Sequence, residues 1–107
     1  MSLLAIVTFD LHGAVPSEYP RVNRKLANLG LEKRLCRKGA ETPTVLPANT
    51  FARRYATKCK KDAPAVRNDL CENVRGAIAS LGLRGNVFVA VGGPWAWGTR
   101  RASPSKA

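Results

Sequence analysis

The segment FDLHG, residues 9–13, places an acid and the only histidine of the chain two residues apart, at the end of an apolar run. Asp10 is a candidate catalytic residue and a candidate ligand for Mg²⁺, an ion that takes one or two carboxylates and completes its shell with phosphate oxygens. His12 is a candidate general acid or base near neutral pH. Two other interpretations stay open: Asp10 as a turn residue that accepts hydrogen bonds from the next backbone amides, and His12 as a solvated loop residue.

Basic residues form the second candidate site. The chain carries 18 Lys and Arg against seven Asp and Glu, a formal net charge of +11, and such a surplus favours polyanions such as RNA, DNA or an acidic protein. Arg53 and Tyr55 alternate on one strand, so a cation and a ring there can meet a phosphate and its base together. The same charges also suit a solvated surface that keeps sheet edges from pairing. The proposed nucleic-acid-binding residues are Arg37, Lys38, Arg53, Arg54, Tyr55, Lys58, Lys60, Lys61, Arg100 and Arg101.

The WAW segment is the third candidate site. Trp95 and Trp97 share a face if the segment is extended, and rings flanked by Gly and Arg can stack on bases. Such a pair more often covers an open core edge or anchors a partner chain, because tryptophan is enriched in interfaces. We therefore assign both residues to an interface.

Several function classes lack their sequence signals. There is no nucleophile elbow, P-loop or dinucleotide fingerprint, so no small-molecule cofactor is evident. The three cysteines show no zinc spacing, and one internal disulfide stays open. The first apolar run has no basic segment before it and is too short to cross a bilayer, which predicts a cytoplasmic protein with reduced thiols and no membrane contact.

The periodicity of apolar residues predicts four strands and two helices. Alternation in the first strand puts Ala5, Val7 and Phe9 on one face, and Leu4, Ile6, Thr8 and Asp10 on the other. In order along the chain, we expect a strand over Leu3–Leu11, a helix from the N-cap Ser17 to Gly30, strands over Leu31–Cys36 and Ala48–Tyr55, a helix from the N-cap Asp62 to Gly82, a turn at Gly85-Asn86, and a strand over Val87–Val91.

This order predicts a single α+β domain over residues 1–98, followed by a flexible basic tail over 99–107. Two LGL segments 52 residues apart each end a helix and begin a strand, which fits two βαβ halves. The β-α-β-β-α-β order is that of a ferredoxin-like split βαβ sandwich, an antiparallel sheet with two helices on one face. We expect the other face to be open and apolar enough to form a homodimer, through Leu4, Ile6, Phe88 and Ala90.

The segments AIVTFDLHG and YPRVNRKLANLGLEKRL resemble the start of the virulence-associated protein D family of toxin ribonucleases, and of the related CRISPR-associated small ribonucleases. The likeness covers roughly the first third of the chain and ends after Cys36. It implies a ferredoxin-like dimer, with Asp10 taking part in metal-dependent cleavage of nucleic acid.

These features lead to one main functional hypothesis and one alternative. The main hypothesis is a nucleic-acid-associated protein, as a binder of RNA or DNA or as an Mg²⁺-dependent endoribonuclease acting through Asp10. The alternative is a protein-interaction or dimerisation module that uses the open sheet face and the WAW segment.

Overall fold

The fold combines two helices with a mostly antiparallel sheet. The computed structural model describes residues 2–36, 41–56, 61–93 and 96–104. Its elements are β1 (Leu3–His12), α1 (Glu18–Asn28), β2 (Arg34–Leu35), β3 (Thr44–Val45), β4 (Thr50–Tyr55), α2 (Ala63–Ser80) and β5 (Arg84–Gly92). Strands β4, β1 and β5 form one antiparallel sheet in that order, and β2 pairs with β3. The predicted α+β class is confirmed, and the layout is compatible with a ferredoxin-like one.

The main core lies between the sheet and the two helices. Ala5, Val7 and Phe9 are buried on the helix side of β1, as the alternation predicts. An apolar stripe of α2 is buried against them, and each such aliphatic side chain stabilises the fold by roughly 1.5–3 kcal/mol. The members of this stripe are Val66, Leu70, Val74 and Ile78.

Local signals set the ends of both helices. A carboxylate oxygen of Asp62 accepts a hydrogen bond from the Ala65 amide at 3.0 Å, which satisfies one free N–H at the start of α2. Gly30 and Gly82 follow the helix ends with φ of +83° and +75°, a conformation that favours glycine. These ends confirm the prediction, whereas Ser17 lies at the N-cap of α1 without a side-chain hydrogen bond.

The predicted turn at Gly85-Asn86 is wrong, because both residues lie inside β5. This strand pairs with β1 from Leu4↔Gly92 to His12↔Arg84, and that long ladder outweighs the local turn preference of a Gly-Asn pair. β1 likewise continues to His12, so Asp10 lies within a strand and not in a turn. Glycine is needed at position 85, since a Cβ there would lie 1.9 Å from the carbonyl oxygen of Asp10.

The predicted second and third strands are shorter than expected. Within the described residues a single bridge joins the first of them to β4, where Glu32 and Ala52 exchange two N–H···O bonds of 2.8 Å. The chain then forms the β2–β3 hairpin before β4. Asn49 precedes β4 with φ of +63°, and this turn takes the place of the predicted strand start at Ala48.

The second face of the sheet is partly covered, so the expectation of an open face is wrong for its β4 side. Leu4, Leu35, Leu46 and Ala52 form a small buried cluster there, and Ile6 and Trp97 pack against it. On the β5 side of the same face, Phe88 is 62% exposed and Ala90 is also exposed. Among the described residues, no helix has the length and apolar character needed to span a membrane.

Candidate nucleic-acid interface

An acid, a histidine and an asparagine meet on the uncovered part of the sheet. Oδ1 of Asp10 accepts a hydrogen bond from the backbone N–H of Asn86 at 2.9 Å. Nε2 of His12 lies 3.6 Å from the same Oδ1 and 3.1 Å from Nδ2 of Asn86. The side chains of Asp10 and His12 are 63% and 58% exposed, so solvent and ligands reach both. The structure therefore brings the two predicted catalytic residues together and adds Asn86.

This cluster suits Mg²⁺ only if a bound ligand supplies further oxygen atoms to the ion. Within the described ranges, no three His, Cys, Asp or Glu side chains come together as a metal-binding group. Mg²⁺ usually keeps several waters and is held by one or two carboxylates together with phosphate oxygens. A single exposed carboxylate whose other oxygen has no hydrogen bond to the described residues fits that mode of binding.

Residues of β5 extend the cluster along the same sheet face. Asn86 faces Asp10, and Phe88 faces Thr8 across the β1–β5 ladder. Arg84 faces His12 at the end of this ladder and is exposed. A shallow groove of about 400 Å³ has Thr8, Asp10, Asn86 and Phe88 in its lining. The sequence prediction missed Arg84 and Asn86 as site residues, although alternation along β5 places them beside Phe88 once the strand is known to begin at Arg84.

A second candidate site is an arginine groove at the β4 edge of the sheet. The groove has a volume of about 610 Å³, and three of its described lining residues are arginines: Arg34, Arg53 and Arg54. Among the described residues of this lining, Glu32 is the one acid. None of the three guanidinium groups forms an ion pair with a described carboxylate. The groove therefore carries more positive than negative charge.

Two of these guanidinium groups are held by backbone carbonyls. Nη1 of Arg53 donates to the carbonyl of Leu29 at 3.0 Å, and the Arg53 guanidinium lies 4.7 Å from the centre of the Tyr55 ring. Arg53 and Tyr55 thus contact each other on one strand face, as the alternation suggests. Arg54 lies on the other face and donates to the carbonyl of Cys36. Carbonyls are neutral, so these bonds fix the arginines without cancelling their charge.

The other predicted binding residues lie apart from these two sites or outside the described residues. Lys61 forms an ion pair with Asp69 of α2 and borders a separate groove beside Tyr55. Arg100 and Arg101 are exposed in the segment 96–104. Outside the described residues lie Arg37, Lys38, Lys58, Lys60 and Trp95. Arg34 is a further groove residue that the sequence prediction missed, because only the hairpin β2–β3 places it there.

The two candidate sites lie at opposite ends of β1. Arg54 faces Leu4 near the start of this strand, and Asp10 lies six residues farther along it. At about 3.3 Å per residue, the two positions are separated by roughly 20 Å. Both side chains belong to the same sheet face by alternation. Between them, the buried cluster of Leu4, Leu35, Leu46 and Ala52 covers the β4 side of this face, so the two sites are separate surfaces.

Comparison with known proteins finds no family model, no curated protein and no solved structure that matches this chain. The assignment of function therefore depends on the geometry and charge of the two sites, and the resemblance of the first third of the chain stays a prediction.

Proposed function

We propose that this protein binds nucleic acid, and that the arginine groove contacts the phosphates. The observation that carries the proposal is the set of three guanidinium groups that line one groove without a paired carboxylate among the described residues. Arginine forks match phosphate oxygens in geometry, and each neutralised phosphate releases counterions. The net charge of +11 adds a field that attracts a polyanion over a longer range.

Binding of labelled RNA and duplex DNA over a series of salt concentrations tests this function. The affinity of the wild-type protein is expected to fall steeply as salt rises, and Arg34→Gln with Arg54→Gln is expected to lower both the affinity and the salt slope. Arg24→Gln with Arg67→Gln is the matched control, because it removes the same two charges from exposed positions on the helices, outside the groove. Equal loss in the control, or no binding by the wild type, contradicts the proposal.

A second candidate function is Mg²⁺-dependent cleavage of the bound nucleic acid at Asp10. The specific observation in its favour is that the Asn86 amide fixes one oxygen of an exposed carboxylate, 3.6 Å from an exposed imidazole. In this proposal Asp10 holds the ion, which would polarise the phosphate, and His12 moves a proton during cleavage. The resemblance to the toxin ribonucleases implies the same role for Asp10 and favours RNA as the substrate.

Incubation with RNA and duplex DNA in Mg²⁺ tests the second function. Cleavage by the wild type that disappears in Asp10→Asn and on addition of a chelator supports it. Asp69→Asn serves as a control, since Asp69 lies on α2 in an ion pair with Lys61, outside the sheet cluster. Absence of cleavage by the wild type, or equal cleavage by the wild type and Asp10→Asn, leaves a binding protein without this activity.

The finer fold and the assembly are also part of the proposal. We infer a ferredoxin-like split βαβ sandwich. In this fold the segment around Glu32 is the fourth strand of the sheet, and it is reduced to one bridge beside β4. The strand order β4–β1–β5 and that bridge support the inference. We also propose a homodimer. The molar mass in solution tests the dimer. Purification as a dimer with no affinity for nucleic acid would favour the interaction-module alternative.

A further inference from the structure

We infer that Phe88 is a platform on which an unpaired base stacks, so that the ligand at the Asp10 site is single-stranded nucleic acid. This inference rests on the proposed nucleic-acid binding and adds the class of ligand. Its basis is one face of the β1–β5 ladder that carries an exposed ring, an amide, an acid and a cation without an ion pair to any described carboxylate: Phe88, Asn86, Asp10 and Arg84.

Phe88 differs from the other two phenylalanines of the chain. Phe9 and Phe51 are 5% and 3% exposed and pack against each other in the main core, with ring centres 6.3 Å apart. Phe88 is 62% exposed, although its neighbours in β5, Val87 and Val89, pack against that core. The side chain therefore contributes little to the packing of this fold and presents its ring to solvent.

The surroundings of Phe88 suit a nucleotide. The groove beside the ring is also lined by Thr8, Asp10 and Asn86, which offer hydrogen-bonding groups to a base edge. Arg84 and Phe88 alternate on the same face of β5, about 13 Å apart at about 3.3 Å per residue. Arg84 forms no ion pair with a described carboxylate and is available to a phosphate.

The charge of the protein favours nucleic acid over a second copy of the chain as the occupant of this face. Two copies bring two charges of +11 together, whereas a nucleic acid strand neutralises them. A duplex keeps its bases stacked inside, so its base faces do not reach an exposed ring on a sheet. Single strands expose those faces, and aromatic side chains on a positively charged surface are their usual binding platform.

The test compares one RNA oligonucleotide and the DNA of the same sequence, each single-stranded and as a duplex, at one salt concentration without Mg²⁺. Phe88→Ala is expected to weaken binding of the single strands by about five- to a hundredfold, the range for loss of one stacked base, and to leave duplex binding unchanged. Phe88→Trp is expected to restore single-strand binding and to show quenching of its additional fluorescence. Val45→Ala is the matched control, since Val45 is an exposed apolar side chain of β3, 56% exposed, that does not line this groove.

The outcomes separate this inference from the proposed function. If Phe88→Ala binds single strands as tightly as the wild type does, nucleic-acid binding stands and the stacking role of Phe88 is wrong. The same conclusion follows if Phe88→Ala loses duplex affinity as much as it loses single-strand affinity. If the wild type binds neither form, both are wrong. If the protein is a dimer that dissociates in Phe88→Ala, Phe88 is an interface residue and the inference is overturned. Equal effects on RNA and DNA indicate recognition of the base alone, and a preference for RNA indicates an additional contact to the 2′-hydroxyl.

Discussion

The backbone N–H of Asn86 donates a 2.9 Å hydrogen bond to Oδ1 of Asp10, and this bond joins a candidate catalytic side chain to the neighbouring strand. The bond fixes the direction of the carboxylate. It also occupies one oxygen, so a ligand or ion meets mainly the other.

Asp10→Ala is expected to lower the free energy of unfolding by less than about 1 kcal/mol, because the site is exposed and water can replace the lost acceptor. Urea denaturation measures this change. A small effect means that any loss of cleavage in an Asp10 variant reports on chemistry. A loss above about 2 kcal/mol would show that Asp10 is needed mainly for the fold.

Gly85→Ala is expected to destabilise the protein by about 1–3 kcal/mol, as overpacking does elsewhere. The new Cβ would lie 1.9 Å from the carbonyl oxygen of Asp10, so the β1–β5 ladder must shift. Gly76→Ala is the control, because no atom lies within 4 Å of a Cβ at that helical position and alanine favours a helix by up to about 1 kcal/mol. Equal melting temperatures for the two variants would contradict the close approach of the strands.

Arg53→Lys is expected to destabilise the protein by about 1 kcal/mol, although the charge is kept. Lysine lacks the planar fork that both donates to the Leu29 carbonyl and lies over the Tyr55 ring. The measurement is thermal unfolding, with Arg24→Lys on the exposed side of α1 as the control. A variant as stable as the wild type would show that this arginine is held only loosely and is available as a ligand-binding residue.

Trp97→Ala is expected to destabilise the protein by about 2–4 kcal/mol, since it uncovers the cluster of Leu4, Leu35, Leu46 and Ala52. Binding of a hydrophobic dye should rise at the same time. An unchanged unfolding midpoint would mean that the segment 96–104 contributes little to the fold, and would leave Trp97 available for a partner.

The elements that were predicted correctly from the sequence are those whose ends and buried sides are set by residues close together in the chain. Asp62, Gly82 and the apolar stripe of α2 act within one helix, so their pattern alone sets its ends and its buried side. Gly85 and Asn86 show the limit of prediction from local patterns. This dipeptide favours turns, but it is held in a strand by pairing with residues more than 70 positions earlier.

The candidate sites were predicted only in part, because some of their residues are positioned by distant parts of the chain. Asp10, His12, Arg53 and Arg54 were identified by residue type, and alternation along each strand correctly placed Arg53 beside Tyr55. Arg34, Arg84 and Asn86 carry no signal of their own. They become site residues only through a hairpin and a strand register that depend on distant parts of the chain.

The central position of β1 has a consequence for how the protein forms. This strand precedes both of its partners, β4 and β5, in the chain, and the register His12↔Arg84 closes a loop of 72 residues. Pairings between residues so distant in sequence slow folding, because the entropy of loop closure is lost before the contacts form. During translation the apolar segment LLAIVTF therefore remains without β5 until residues 84–92 have been synthesised, and in that interval its unpaired edges and apolar side chains are exposed to aggregation.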